Sequence, residues 1–211
     1  MKVLMLNGSS HQDGCTYTAL TEIGETLKKH GIDYEIFQIG HKPIRDCLAC
    51  GQCDGNGCVF TDDAVNEFRE KAFNADGFVF GTPVYFAHPS GAILSFLDRV
   101  FYSSSNHNWE RKAFQFKPAA AIASARRAGT TASIDVLNKY FTIANMPVVS
   151  SSYWNMVHGR TPDDVRKDKE GLQTMRNIGH NMAWLLKCIE LGKQNNILPN
   201  IEKGEITNFI R

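Results

Sequence analysis

The 211-residue chain has no apolar run of membrane length, no surplus of charge of either sign and no glycine signature of a dinucleotide or triphosphate site. Each absence excludes something. Behind Lys2 only four apolar residues, Val3 to Leu6, precede Asn7, too few for a signal-peptide core. No later run reaches the roughly 20 residues that a bilayer needs, so a cytoplasmic chain with no membrane partner is expected. A formal net charge of +1 with scattered Lys and Arg gives no basic stripe, and nucleic acid is not expected as a partner. G-x-G-x-x-G and the Gly-Lys-Ser/Thr ending of a triphosphate loop are missing, as are G-x-S-x-G and H-E-x-x-H. No cysteine has an arginine six positions on, as a thiol phosphatase loop in a doubly wound fold would require.

What is present is a chain 43% apolar, long enough to bury one substantial core. Apolar runs of strand length alternate with stretches of helical period, the signature of βα units winding a doubly wound α/β sheet. Strands are expected at Lys2 to Leu6, Tyr34 to Ile39, Gly77 to Gly81, Ala119 to Ala123 and Val148 to Ser150. Helices are expected from Thr16 to His30, through Val65, Phe68 and Ala72, through Ile93, Leu97 and Val100, and through Ile134, Leu137 and Phe141. A last long helix carries Leu172 to Ile189. Gly31 supplies a left-handed stop for the first helix. Asp62 and Asp63 stand where negative charge suits a helix N-terminus and are read as capping rather than catalysis. Residues 102–117 lack a period and read as an excursion over the site or a partner subunit. Residues 1–192 form the domain, and 193–211 form a polar peripheral tail.

In such a sheet a ligand lies beyond the carboxyl ends of the strands, and three loops fall there. The first, Gly8 to Tyr17, joins a strand to a helix and is crowded with small residues and hydroxyls. Backbone N–H groups at a helix N-terminus, joined by Ser9, Ser10 and Thr16, suit a phosphate monoester. The second, Gly81 to Gly91, is stiffened by Pro83 and Pro89 and carries Tyr85 and Phe86, which can border a flat ring. The third, Ser124 to Thr131, brings Arg126, Arg127 and Gly129, whose donors and charge suit negative charge on a ring system.

With these loops in order, the chain resembles the NAD(P)H-dependent FMN reductases of the flavodoxin superfamily, in the branch that includes the iron-sulfur flavoproteins. The likeness covers roughly residues 1–191 and rests on Gly8 to Thr16, the cysteine run, Gly81 to Phe86 and the pair Asp98 and Arg99. It implies a flavodoxin-like, five-stranded parallel sheet in the order 2-1-3-4-5 with helices on both faces. FMN is the implied cofactor and NAD(P)H the co-substrate. The resemblance assigns Ser9, His11, Cys15, Thr16 and Tyr17 to the FMN phosphate, and Pro83, Val84, Tyr85 and Phe86 to the isoalloxazine ring. Ala125, Arg126 and Gly129 go to its pyrimidine edge. Family members often carry Arg and Asn where this chain has His11 and Cys15. Because the hard chemistry belongs to the flavin, no catalytic side chain is expected. Flavin, quinone, nitro and azo compounds are the implied acceptors; the alternative is an electron carrier between proteins, which a near-neutral chain fits poorly.

Cys47, Cys50, Cys53 and Cys58 form C-x2-C-x2-C-x4-C, the ligand number of a 4Fe-4S cluster. A zinc site stands beside that reading, although structural zinc more often takes two separated hooks than one compact run, and so does simple packing, since the resemblance also covers relatives with similar runs that use flavin alone. Trp109, Tyr153 and Trp154 lie outside the core periodicity, and a homodimer or homotetramer is expected on that ground.

Overall fold

Alternation along the strands places one set of side chains on each face of the sheet. In β1 (Lys2–Asn7), Val3 and Met5 face one side and Leu4 and Leu6 the other, all buried. In β3 (Gly77–Tyr85), Phe78 and Phe80 oppose Val79 in the same way. The structure is a computed structural model and describes residues 1–53, 56–105, 112–202, 205, 207 and 209. Trp109 lies outside the described residues.

The helices cover both faces. Leu20, Ile23 and Leu27 of α1 (Cys15–Lys29) pack on the Val79 face, together with Met175, Ile178 and Met182 of the long α6 (Lys169–Gln194). Helix α1 stops as expected: Gly31 takes a φ of 74°, its N–H donates to Lys28 O, and the N–H of Ile32 donates to Leu27 O. Helices α2 (Val65–Phe73), α3 (Gly91–Ser103) and α4 (Thr130–Ile143) cover the opposite face, where phenylalanines gather. Phe68 meets Phe37 and Phe96 at 5.3 Å, Phe80 meets Phe141 at 5.1 Å, and Phe101 stacks on Phe114 at 4.4 Å. Each such ring contributes about 1.5–3 kcal/mol through burial. Phe114 belongs to the stretch read as an excursion, yet it is fully buried in this core.

The strand order is β2 (Asp33–Gln38), β1, β3, β5 (Ala119–Ala125), β6 (Met156–His158), all parallel. With the small β4 (His88–Pro89) set aside, this is the expected 2-1-3-4-5 arrangement. Two details differ. Strand β4 folds back antiparallel on the end of β3. The last strand is Met156–His158 rather than Val148 to Ser150. Residues 147–149 do pair with Ala119, through Ala119 N–H to Pro147 O at 2.9 Å and Val149 N–H to Ala119 O at 2.8 Å. The chain then leaves the sheet through Ser150 to Trp154. It returns where the Asn155 side chain donates to Ala121 O at 3.0 Å and Met156 aligns with Ala123. A short α5 (Pro162–Lys167), started by a Thr161 and Asp164 capping box, links β6 to α6. Among the described residues no helix is long and apolar enough to cross a membrane.

Candidate functional site

The carboxyl ends of β1, β3, β5 and β6 open into one cleft of about 730 Å³. Nine of the twelve residues assigned to FMN by the resemblance line it: Ser9, His11, Cys15, Thr16, Pro83, Val84, Tyr85, Ala125 and Arg126. Tyr17 is half-buried in the first turn of α1, and its side chain is not in the lining. Phe86 is fully exposed at a turn, and Gly129 is half-buried where its loop packs on Ala87.

The first loop is held from beneath by two amides. Asn7, fully buried at the end of β1, donates to Gln12 O at 3.1 Å and to His11 O at 3.4 Å. Its side-chain oxygen accepts from Ser9 N–H at 3.2 Å, and its amide also donates to Gln38 Oε1 at 2.5 Å. Gln38 in turn donates to Ser9 O at 2.6 Å. The loop leads into α1 through Gly14, which offers no side-chain cap, and the first turn holds no acidic residue. The N–H groups of Cys15, Thr16 and Tyr17 therefore have no partner further back in the helix and form a positive helix end at the cleft. Burial pushes the Cys15 thiol above its ordinary pKa, with the Asp164 carboxylate adding to the effect, so the sulfur is a neutral thiol. It donates weakly to Gly159 O at 3.7 Å.

The second loop is strapped to the first. Gly8 N–H donates to Gly81 O at 2.8 Å, and a side chain at Gly8 would press to 2.8 Å from that oxygen. Ser90 caps α3 by accepting from Ile93 N–H at 3.3 Å and donates to Gly8 O at 3.1 Å. Between Tyr85 and His88 the turn residues Phe86 and Ala87 both have positive φ, 50° and 59°. That is the twist a two-residue hairpin needs, usually supplied by Asn and Gly. Gly129, with a φ of 97°, starts α4 and packs so closely on this turn that a Cβ would sit 2.4 Å from Ala87 Cα.

A fourth loop, Gly159 to Pro162 after β6, completes the cleft, and His41 enters from the segment after β2. Sequence reasoning missed the fourth loop because it put the last strand eight residues too early. Ser124 was passed over in favour of its arginine neighbours, although its hydroxyl bonds Thr16 at 2.8 Å.

The four cysteines of the run line a second, small cavity of about 10 Å³, with Phe60, Arg99 and Tyr102. Among the described residues no three His, Cys, Asp or Glu side chains form a set able to hold a metal ion as they stand. Burial, with Cys58 and Cys50 nearby, pushes the Cys53 thiol upward in pKa. The N-cap of α2 is Ala64, which offers no side-chain cap; Asp63, just before it, accepts from Val65 N–H at 3.2 Å, and its other oxygen forms a buried ion pair with Arg99.

The parallel order, the helices on both faces and the cleft at the strand ends define a flavodoxin-like α/β protein. The solved NAD(P)H:quinone oxidoreductase from Methanothermobacter marburgensis shares the fold with a TM-score of 0.66 at 18% identity, over 86% of this chain and 96% of that one. The chain belongs to the NADPH-dependent FMN reductase family, which it matches over residues 1–161. It is an NAD(P)H-dependent FMN oxidoreductase. It is 30% identical to an iron-sulfur flavoprotein of Methanocaldococcus jannaschii, over 90% of this chain and all of that protein. A FMN-dependent NADPH-azoreductase of Staphylococcus aureus is 31% identical over 59% of this chain and 61% of its own length.

Proposed function

We propose that FMN sits in the four-loop cleft and that the chain carries hydride from NAD(P)H to a small acceptor, a free flavin, quinone, nitro or azo compound. The supporting observation is the meeting of three separately recognised loops at one cleft, where nine of their twelve assigned residues stand together. The cleft suits a terminal phosphate: Gly14 leaves the α1 N–H groups open, and the hydroxyls of Ser9 and Thr16 stand beside them. When bound, the flavin supplies both hydride acceptance and onward transfer.

The chain's residues then bind and orient. Ser9, Thr16 and the first turn of α1 hold the phosphate, with His11 at the loop edge. Pro83, Val84 and Tyr85 border the ring, and Ala125 with Arg126 supplies backbone donors and positive charge at the pyrimidine edge. Tyr85 lines the cleft and is itself exposed, and one ring face would stay open to nicotinamide and acceptor in turn. Tyr153 and Trp154, 53% and 58% exposed and in edge contact at 4.7 Å, are the apolar surface through which a homodimer or homotetramer would form. Light scattering at micromolar concentration checks this, and a monomer there removes it.

The decisive experiment is anaerobic. NAD(P)H should bleach the bound flavin without any acceptor, an acceptor added afterward should restore the colour, and flavin released by heat should run as FMN. Failure of both nicotinamides to bleach folded, flavin-loaded protein would sink this reading.

A second reading is favoured by the cysteine cavity: the run holds a 4Fe-4S cluster, and the protein passes electrons to protein partners. The donor set fits, because four thiols share one cavity. A cluster binds each thiolate to a different iron, so its ligands stand further apart than those of a single zinc ion. Cys50 is exposed and Cys47 and Cys53 are half-buried, so these three thiols are not locked into the core. Iron analysis of anaerobically purified protein tests it.

A further inference from the structure

Among the described residues Arg99 is the largest fully buried side chain, 2% exposed, and its guanidinium lies at the wall of the cysteine cavity. Burying a guanidinium is costly, and an apolar side chain would serve the packing of α3 as well. Its hydrogen bonds show what it holds. Nη1 donates to Arg45 O at 3.2 Å, two residues before Cys47, and Nη2 donates to Phe60 O at 3.0 Å, two residues after Cys58. Both ends of the run are thus tied to one side chain. Asp63 balances its charge. Nε–H points at Cys58 Sγ, 3.4 Å away.

Cys58 differs from the other three cysteines. It is the buried one, and Asn66 clasps its backbone by accepting from its N–H and donating to its carbonyl, each at 2.8 Å. Its sulfur is therefore held within reach of Arg99.

We infer that Arg99 is the positioning residue of the four-cysteine centre, fixing Cys58 as its anchor and biasing the centre toward its reduced form through the Nε–H donated to that sulfur. The inference rests on the second reading above, in which the run holds a cluster. Reduction adds one electron, part of whose charge falls on the ligand sulfurs. A donor aimed at such a sulfur stabilises the more negative state and raises the reduction potential.

The test uses anaerobically purified, full-length protein and its Arg99→Lys and Asp63→Asn variants. Iron per chain is measured, followed by a redox titration monitored by EPR for the cluster and by absorbance for the flavin. Lysine keeps the charge beside Asp63 but lacks the planar fork that reaches Cys58 at the same time. In Arg99→Lys the cluster should become about three- to tenfold harder to reduce, a fall of about 30–60 mV at 59 mV per tenfold for one electron. In Asp63→Asn the guanidinium loses its counter-charge, and the potential should rise. The flavin potential should stay put in both. General loosening of the loop cannot produce opposite shifts. Should Arg99→Lys fail to load iron, Asp63→Asn decides: a rise supports the inference and an unchanged potential overturns it. An iron-loaded Arg99→Lys with wild-type potential overturns the role of Arg99 and leaves the cluster reading standing. Wild-type protein without iron overturns both.

Discussion

The hydroxyls of Thr16 and Ser124 lie 2.8 Å apart and almost wholly out of solvent, joining the start of α1 to the end of β5 at the cleft. One donates to the other, so between them a single O–H is left to turn toward a bound phosphate. Thr16→Val and Ser124→Ala should each weaken FMN binding by about 1–3 kcal/mol. The double variant should lose less than the sum, because the two hydroxyls act through one bond. Fluorescence titration of apoprotein with FMN measures this, and strict additivity would show that the hydroxyls work independently.

Asn7 makes four hydrogen bonds beneath the first loop and is fully buried. Asn7→Ala leaves Ser9 N–H and the carbonyls of His11 and Gln12 short of partners. Stability should fall by about 1–3 kcal/mol in urea, and FMN should dissociate faster from the variant. Unaltered FMN release in a destabilised variant would limit Asn7 to holding the fold.

Phe86 is held at a φ of 50° with its ring wholly exposed, a conformation that suits Asn far better. Strain without burial points to use of the ring beside the cleft. Phe86→Asn should stabilise the protein by about 1 kcal/mol and raise the KM for the acceptor severalfold. Urea unfolding and steady-state kinetics read the two effects, and a KM that does not move would assign the ring no part in acceptor binding.

Cys15 has its thiol pKa raised by burial and by Asp164, so the neutral form is favoured in the folded protein. A raised thiol contributes stability that is complete below the unfolded value of 9.0 and is lost as pH climbs through the higher folded value. At pH 7 Cys15 should react with iodoacetamide more slowly than the exposed Cys188, with the gap closing only in alkali. Peptide mass spectrometry after timed alkylation checks the order, and equal rates at pH 7 would contradict it.

The sequence alone determined the elements whose stabilising partners are near in the chain or repeat at a fixed period. Leu20, Ile23 and Leu27 fall on one face of α1 and Gly31 ends it, as the structure bears out. The first three strands and the loops that follow β1, β3 and β5 were legible for the same reason: alternation, glycine and hydroxyl-rich turns are local signals. The cysteine run could be read as a ligand set, but its buried neighbour could not, because Arg99 lies 41 residues beyond Cys58 and meets it only after α3 packs on the sheet.

The tertiary structure decided the last strand and, with it, the fourth wall of the cleft. Val148 to Ser150 has strand composition and begins to pair with Ala119, but pairing is governed by which backbone groups of β5 remain open. The Asn155 amide takes Ala121 O, Met156 aligns with Ala123, and Gly159 to Pro162 is thereby carried to the cleft. Hydrogen-bond register between strands distant in sequence leaves no periodic trace in the chain, so only the assembled sheet could fix it.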